Sequence, residues 1–467
     1  MIMDVFPNAK LRNRLLPMIL GLTLAAGCRP AADSSADAGR SPETSARGSS
    51  AAVQTAAEPI PYPTLPDPLT GDWMKDQAEA EAARLAEAFA DDVEALDLQA
   101  TVHRMSGRND ESVVIWNRCL ELRPDFIRAY VPMISVARRK GDYPEAERLA
   151  RECLRLDPLQ VEARGLLAAV LFEQGRYDTA IEAVLAGQAI GAVNAEALFF
   201  QGQAFQKKQE HERAVTTLRE AIRLEPNYTR AYYALSVSLS RLGRKEEADQ
   251  ARAKFRELQG RDMAANAAIL QVESEAFVRR TVASVFQRAG EIWVNKGRVE
   301  DAERCWLFAA VLVPDDPAPR LKLGTLYQSM NRPGLVRGVL DELGPVELRD
   351  PELLRARGLL FLRSGVYDAA ERDFLAWLEA APQSADAYSL LAQTYLTMGG
   401  KNAEALRAAD AAVRLAPVKE NLLVLAVAYA ETGDRDSALR IAGELLQRDP
   451  QSPEAHRLYE MLRGGNR

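Results

Sequence analysis

Prolines and glycines recur at fixed spacing along most of this 467-residue chain. Twelve residues before each of seven prolines stands alanine or serine, and seventeen residues before six of them stands glycine, with Gln209 at the seventh place. Several of these blocks lie 34 residues apart or at twice that distance. A period of this length predicts an all-α array of stacked helix pairs. The prolines are Pro124, Pro158, Pro226, Pro314, Pro382, Pro417 and Pro450.

Composition narrows the kind of partner such an array can bind. Hydrophobic residues make up 47% of the chain, enough for a large buried core, and the formal net charge is −7. Basic and acidic residues are interspersed, as on the solvated faces of helices. A nucleic-acid-binding protein needs a basic surface that neutralises phosphates, so we expect no nucleic-acid partner.

The amino terminus has the layout of a secretion signal. A basic stretch precedes a short apolar run at residues 15–26, which is too short to span a bilayer. The run ends in small residues before Cys28, and this resembles a bacterial lipoprotein signal. The resemblance implies that residues 1–27 are removed and Cys28 carries lipid. It also implies a bacterial cell-envelope location, with Arg29 favouring the outer membrane, facing the periplasm, if two membranes are present.

An ordinary cleaved signal with an incidental cysteine is the alternative at this terminus. Residues 28–72 are rich in Ala, Ser and Pro and show no apolar period, which predicts a disordered tether. Its proline-rich end at residues 59–68 should be stiff and extended. We favour a spacer role for that end over a role as ligand for a proline-binding groove.

Each repeat unit contains two amphipathic segments. The fourth unit is representative, with Leu198, Gly202 and Phe205 on its first helix and Ala214 and Leu218 on its second. This alternation of bulky, small and aromatic positions, ending in proline, resembles the tetratricopeptide repeat over about residues 93–450. The resemblance implies an α-solenoid in which about nine to ten repeats form a right-handed superhelix. Each pair buries its apolar face against its neighbours.

The spacing of the units suggests how the array is divided. Residues 73–260 are predicted to hold a capping helix and about five repeats. Residues 261–282 lack the repeat punctuation and are predicted to be a helical spacer. Residues 283–467 are predicted to hold about five further repeats and a capping helix that begins near Pro453.

Residues with catalytic or metal-binding potential are few. The three histidines are far apart, no C-x-x-C pair occurs, and no nucleophile elbow or phosphate-binding loop is present. We therefore expect no enzymatic activity, no metal, no cofactor and no small-molecule substrate. Cys119 and Cys153 occupy equivalent repeat positions and are predicted to be buried small apolar residues. A disulfide between them is the disfavoured alternative, because packed helices lie about 8–10 Å apart and a bridge needs closer Cα atoms. Whether Cys119, Cys153 and Cys305 are all free thiols stays open at this point.

The family resemblance also implies a binding surface, because the first helices of such repeats line a concave groove. Phe199 and Phe200 are adjacent on one helix, so one of them is expected to face this groove. We predict that the groove binds a protein or peptide, as a scaffold or assembly factor. The alternative is a structural accessory subunit of an envelope enzyme or secretion complex. The predicted groove residues are Arg138, Arg139, Phe172, Phe199, Gln203, Gln206, Arg230, Tyr233 and Arg241.

Overall fold

A computed structural model describes residues 55–268, 274–343 and 350–464. Over these residues the chain forms 22 α-helices and no strand, in agreement with the predicted all-α class. The helices are α1 (Gly71–Ala88), α2 (Val93–Met105), α3 (Asn109–Leu122), α4 (Ile127–Lys140), α5 (Tyr143–Leu156), α6 (Val161–Glu173), α7 (Tyr177–Gln188), α8 (Ala195–Lys207), α9 (His211–Leu224), α10 (Thr229–Arg241), α11 (Lys245–Ala268), α12 (Ser274–Asn295), α13 (Val299–Leu312), α14 (Pro317–Ser329), α15 (Pro333–Asp341), α16 (Pro351–Arg363), α17 (Tyr367–Ala380), α18 (Ala385–Met398), α19 (Asn402–Leu415), α20 (Lys419–Glu431), α21 (Arg435–Arg448) and α22 (Pro453–Gly464).

The helices divide into two compact units. One unit is Thr64–Val313, and the other contains Pro314–Arg467 with the described residues up to Pro63. Successive helices from α2 to α21 form ten antiparallel pairs, six in the first unit and four in the second. Residues 261–282, which the sequence suggests as a spacer, include the end of α11 and the start of α12, and both α12 and α13 belong to the first unit. The periodic pattern defines each pair without specifying which surface a pair covers.

The recurring glycines end the first helices of the pairs. Gly107, Gly141 and Gly175 have φ between 75° and 79°, a left-handed conformation that glycine adopts at little cost. Gln209, the exception in the sequence pattern, also has a left-handed φ of 64°. The turn geometry is therefore repeated even where glycine is absent.

The recurring prolines lie at the joints between pairs. The side chain six residues after a proline reaches back to the proline carbonyl, which no longer has a helical partner. Tyr130 donates its hydroxyl to the Pro124 carbonyl at 2.9 Å, and Arg164 donates to the Pro158 carbonyl at 2.7 Å. These bonds tie the end of one pair to the start of the next.

Small residues inside the first helices bring the two helices of a pair together. A Cβ placed on Gly202 would lie 2.7 Å from Cγ of Leu218, and one on Gly358 would lie 2.6 Å from Cε1 of Phe374. Real Cβ atoms do not approach so closely, so a larger residue at either place would overpack the pair, at a cost of about 1–3 kcal/mol.

Helix α1 lies between two repeats of the Thr64–Val313 unit. It packs against α2 on one side and α12 on the other, with Ala78 and Leu85 fully buried. Glu81 is buried here as well and accepts a hydrogen bond from Nε1 of Trp293 at 2.7 Å. The predicted capping helix thus covers the first repeat but is itself covered by the α12–α13 pair.

Part of the predicted tether is ordered. Residues 55–63 run along α15, and the backbone N–H of Glu58 donates to the Gly334 carbonyl at 2.9 Å. This differs from the disordered spacer expected over 28–72, because the segment gains main-chain hydrogen bonds that composition does not reveal. Residues 28–54, Cys28 and the predicted signal at 1–27 lie outside the described residues.

The described cysteines are free and buried, as predicted for Cys119 and Cys153, and Cys305 is the third. Burial raises the pKa of Cys119 to about 12 and that of Cys153 to about 11. Burial and the nearby Glu81 carboxylate raise the pKa of Cys305. All three thiols lie in the Thr64–Val313 unit.

Candidate partner-binding surface

The predicted groove residues all lie on the first helices of the second to fifth pairs, namely α4, α6, α8 and α10. The structure places six of the nine in two groups in the Thr64–Val313 unit. Four residues meet in an aromatic cluster centred on α8, and two residues line a cavity between α10 and α11. The cluster contains Arg138, Phe172, Phe199 and Arg230, and the cavity contains Tyr233 and Arg241.

The phenylalanine pair on α8 is covered by its neighbours. Phe199 and Phe200 are each only 2% exposed, so the expectation that one of them faces an open groove is wrong. The ring of Tyr228 lies 5.3 Å from that of Phe199, and the ring of Phe172 lies 5.7 Å from that of Phe200. Adjacent helical side chains point in different directions, but here a neighbouring helix covers each direction.

Two arginines complete this cluster. The guanidinium carbon of Arg230 lies 4.6 Å from the Phe199 ring centroid, and that of Arg138 lies 5.4 Å from the Phe200 centroid. Arg138 also forms a 2.7 Å ion pair with Glu173, a hydrogen bond that raises the pKa of the arginine. The arginines therefore cover the rings as cation–π partners and are already engaged inside the protein.

The remaining predicted residues have local roles. Gln206 donates to the Ala234 carbonyl at 2.6 Å and to the Ser238 hydroxyl at 2.7 Å, which joins α8 to α10. Arg139 is exposed and donates to the carbonyl of Ser135 at 3.3 Å on its own helix. Gln203 is half-buried on α8.

The cavity between α10 and α11 is open. It has a volume of about 640 Å³. Tyr233 is 57% exposed at this cavity, and its ring centroid lies 5.4 Å from that of Phe255. The cavity exists because α10 and α11 form the fifth pair, after which α12 packs against α1 and α2 instead of continuing the regular stack.

The charges around the cavity are mostly positive. Arg241, Arg252 and Arg256 line it, and Asp249 is the acidic lining residue. Arg252 is held by a 2.7 Å ion pair with Asp249 and a 2.5 Å hydrogen bond to the Ser240 hydroxyl. Within the described ranges, neither Arg241 nor Arg256 forms an ion pair. Two cationic groups are thus available to an acidic partner.

Sequence reasoning included Tyr233 and Arg241 in the predicted groove, but it did not include Phe255, Arg252 and Arg256, which line the same cavity. The missed residues lie on a second helix, which the groove expectation did not include. Their spacing of three and four residues places them on one face of α11 and could have indicated a surface. That this face is uncovered depends on the path of α12, which the repeat pattern does not encode.

The described residues include no candidate metal site. In the part of the chain that the structure describes, no three His, Cys, Asp or Glu residues are grouped so that they could hold a metal ion. Over the same part, none of the helices combines the length and the apolar character needed to cross a bilayer.

Comparison with known families identifies the repeats. A tetratricopeptide-repeat family model matches residues 133–195, 199–266 and 355–420, and a second tetratricopeptide-repeat model matches residues 420–452. No curated protein is significantly similar to the chain in sequence.

Several solved structures are also similar. They include a MamA fragment from Desulfovibrio magneticus RS-1, at 21% identity over 36% of this chain and 97% of that one, with a TM-score of 0.32. Yeast Tom70 has 14% identity over 80% of this chain and 95% of its own, with a TM-score of 0.31. The C-terminal part of a TPR repeat-containing protein from Cytophaga hutchinsonii has 15% identity over 56% and 98%, with a TM-score of 0.34.

These TM-scores are low, so the assignment depends on the family matches and on the helix pairs themselves. The matched residues fall in both units, and the pairs show the glycine ends, small contact positions and proline joints described above. The chain is an all-α protein that folds as a solenoid of tetratricopeptide repeats.

Proposed function

We propose that this protein is a membrane-anchored scaffold or assembly factor that holds an acidic segment of a partner protein in the cavity between α10 and α11. Tetratricopeptide repeats are typical of protein-interaction scaffolds, which is the coarser function that the family matches support. The observation that carries the finer proposal is the exposed Tyr233 beside Arg241 and Arg256, two arginines without ion-pair partners among the described residues.

The chemistry of the cavity suits recognition of carboxylates. Arginine binds carboxylates through two parallel hydrogen bonds, and tyrosine offers a large contact area at a small entropic cost. The Tyr233–Phe255 pair gives an apolar contact beside these charges. Because both helices are already packed, little conformational entropy is lost when a partner binds.

The location is proposed from the amino terminus. We infer that Cys28 is lipidated after residues 1–27 are removed, and that the protein faces the periplasm from the outer membrane in a cell with two membranes. A lipid with two or three acyl chains anchors far more firmly than one chain, since each buried CH₂ contributes about 0.8 kcal/mol.

Substitutions at the cavity test the binding proposal. The full chain, the Tyr233→Ala variant and the Arg241→Glu variant serve as baits for affinity capture from membranes, and captured proteins are quantified by mass spectrometry. We expect both variants to lose most of one shared set of acidic partners, while circular dichroism shows unchanged helix content.

Two control variants make the same kinds of change elsewhere in the Thr64–Val313 unit. Phe277→Ala removes an aromatic side chain that is 71% exposed on α12, and Arg223→Glu reverses an exposed charge on α9. Both should capture as the parent does. Equal capture by all five proteins would reject the cavity as the binding site. Phe199→Ala is unsuitable as a test because its ring is buried.

The anchor has a separate test. Cells grown with an alkyne fatty acid should incorporate it into the parent protein and not into Cys28→Ser. A parent protein that is secreted without label would reject the lipid anchor and leave the cavity proposal standing.

A further inference from the structure

The backbone of the segment 55–63, which precedes the first helix, makes two hydrogen bonds with α15, one to its main chain and one to a side chain. The Glu58 N–H donates to the Gly334 carbonyl at 2.9 Å, and the Thr55 carbonyl accepts from Nη1 of Arg337 at 2.9 Å. All of these residues belong to the unit that contains Pro314–Arg467. The segment is therefore bound to one helix of this unit through its backbone.

Two glycines on α15 make this approach possible. A Cβ on Gly334 would lie 2.4 Å from Oε1 of Glu58, and one on Gly338 would lie 2.2 Å from the Glu58 carbonyl oxygen. Residues four apart lie on one face of a helix. Glycine costs a helix about 1 kcal/mol relative to alanine. Two of them in a helix of nine residues are explained by the main chain that lies against them.

Side-chain contacts at both ends of α15 add specificity. Oε2 of Glu58 lies 2.8 Å from Nη2 of Arg332, which precedes α15. The Tyr62 hydroxyl donates to Oε2 of Glu342, which follows α15, at 2.5 Å. Burial and this hydrogen bond raise the pKa of Tyr62. Between these contacts, Cδ1 of Ile60 would lie 3.1 Å from a Cβ on Gly338.

We propose that α15, with Arg332 and Glu342, is a peptide-binding site whose ligand is the segment 55–63 of the same molecule. The ligand class is an extended, proline-rich peptide with a glutamate four residues before a tyrosine. Pro59, Pro61 and Pro63 favour the extended form before binding, which lowers the entropic cost. The site fastens the chain that precedes Thr64 to the unit that begins at Pro314.

A matched pair of glycine substitutions tests the site in the full chain. Gly338→Ala removes the room that the Glu58 carbonyl occupies, whereas Gly443→Ala on α21 places a Cβ 4.0 Å from its nearest neighbour, Cε2 of Tyr459. Both changes should favour their own helix by up to about 1 kcal/mol. We expect Gly338→Ala to speed hydrogen exchange in 55–63 about tenfold, and Gly443→Ala to leave it unchanged.

A charge exchange gives a second, independent measurement if Gly338→Ala disturbs α15 itself. Glu58→Arg and Arg332→Glu should each speed exchange in 55–63, and the double variant should restore much of the protection. Unchanged exchange in both single variants and in Gly338→Ala would overturn the site.

The choice of the same molecule as ligand donor is tested by cross-linking. A photo-reactive residue replaces the exposed Pro61 in an equal mixture of ¹⁵N-labelled and unlabelled full chains. Cross-links to residues near α15 within a single isotopic species support the proposal. Cross-links between labelled and unlabelled chains would show a second copy as the donor and contradict it.

Discussion

Helix α1 and the segment 55–63 are both non-repeat segments, yet they attach to repeat pairs in different ways. Helix α1 buries Met74, Ala78 and Leu85 completely within the Thr64–Val313 unit. The segment 55–63 leaves Ile60 and Tyr62 half-buried and relies on main-chain hydrogen bonds, an ion pair and two glycines on α15. One attachment is apolar and extensive, and the other is polar and narrow.

We expect the attachment of α1 to contribute mainly to the stability of its unit, and the attachment of 55–63 to act mainly as a recognition contact. Burial of apolar side chains contributes in proportion to area, so α1 should be integral to its unit. Exposed or half-exposed polar contacts contribute little net free energy, so the segment 55–63 should open without unfolding the unit that holds it. The same contrast predicts which substitutions act globally and which act locally.

The largest effect on stability should come from shortening a buried apolar side chain of α1, and the matching change in the segment 55–63 should have a much smaller effect. Leu85→Ala should lower the free energy of unfolding of the Thr64–Val313 unit by about 2–5 kcal/mol, because the side chain is fully buried. Ile60→Ala should cost its own unit about 1 kcal/mol or less, because the side chain is half-buried. Urea unfolding of the full chain, followed by circular dichroism, measures both changes.

Thiol labelling assigns these effects to a unit. Cys119, Cys153 and Cys305 all lie in Thr64–Val313, and the chain has no cysteine after Pro314. Leu85→Ala should therefore speed alkylation at these three positions, and Ile60→Ala should not. Faster labelling in both variants, or in neither, would contradict the distinction between the two attachments.

A smaller effect should appear as a pH dependence at α1. Burial raises the pKa of Glu81 above its ordinary value of 4.5 in the folded state, although Trp293 donates a hydrogen bond to it. A raised carboxyl pKa favours the folded state at low pH, and this contribution is lost as pH rises from 4.5 through the folded pKa. Relative to the parent, Glu81→Gln should therefore gain stability as pH rises.

Parallel urea titrations of the parent and Glu81→Gln between pH 4 and pH 8 measure that difference, with contributions from all unchanged groups cancelling. A difference that stays flat, or that falls with pH, would show that the paired Arg84 and Arg304 outweigh burial. The segment 55–63 offers no buried carboxylate with which to produce such a slope, since Glu58 is half-exposed.

The smallest effect should come from one hydrogen bond in the polar attachment. Tyr62→Phe removes the bond to Glu342, worth about 0.5–1.5 kcal/mol. Exchange in 55–63 should rise several-fold while the unfolding midpoint stays the same. Tyr459→Phe is the control, because that hydroxyl makes no hydrogen bond to another described residue. A shift in the global midpoint with Tyr62→Phe alone would show that the segment is structurally integral.

The fold was predictable from the sequence because the residues that specify each helix pair lie within one repeat and recur from repeat to repeat. Glycine at the left-handed turn, small residues such as Gly202 at the helix contact and proline at the joint recur in pair after pair. Each unit of pattern specifies one helix pair, and a pair buries its apolar face only by stacking. The all-α class and the repeat boundaries follow from these positions.

The candidate site was only partly predictable. The groove pattern identified Tyr233 and Arg241 as surface residues, but it also included Phe199, whose ring the structure covers with Tyr228 and Arg230. The repeat period assigns a residue to a helix face, but it does not specify which distant side chain covers that face. Phe255 was missed for the same reason, since α12 leaves the α10–α11 face open.

By itself the sequence determined the helix pairs, their turns and the burial of Cys119 and Cys153, because these depend on neighbours within one or two repeats. Only the tertiary structure decided that α12 packs on α1, that the α10–α11 cavity is open, and that residues 55–63 lie on α15. These contacts join residues up to about 280 positions apart, as between Tyr62 and Glu342. A pattern with a period of 34 residues cannot encode pairings over such distances.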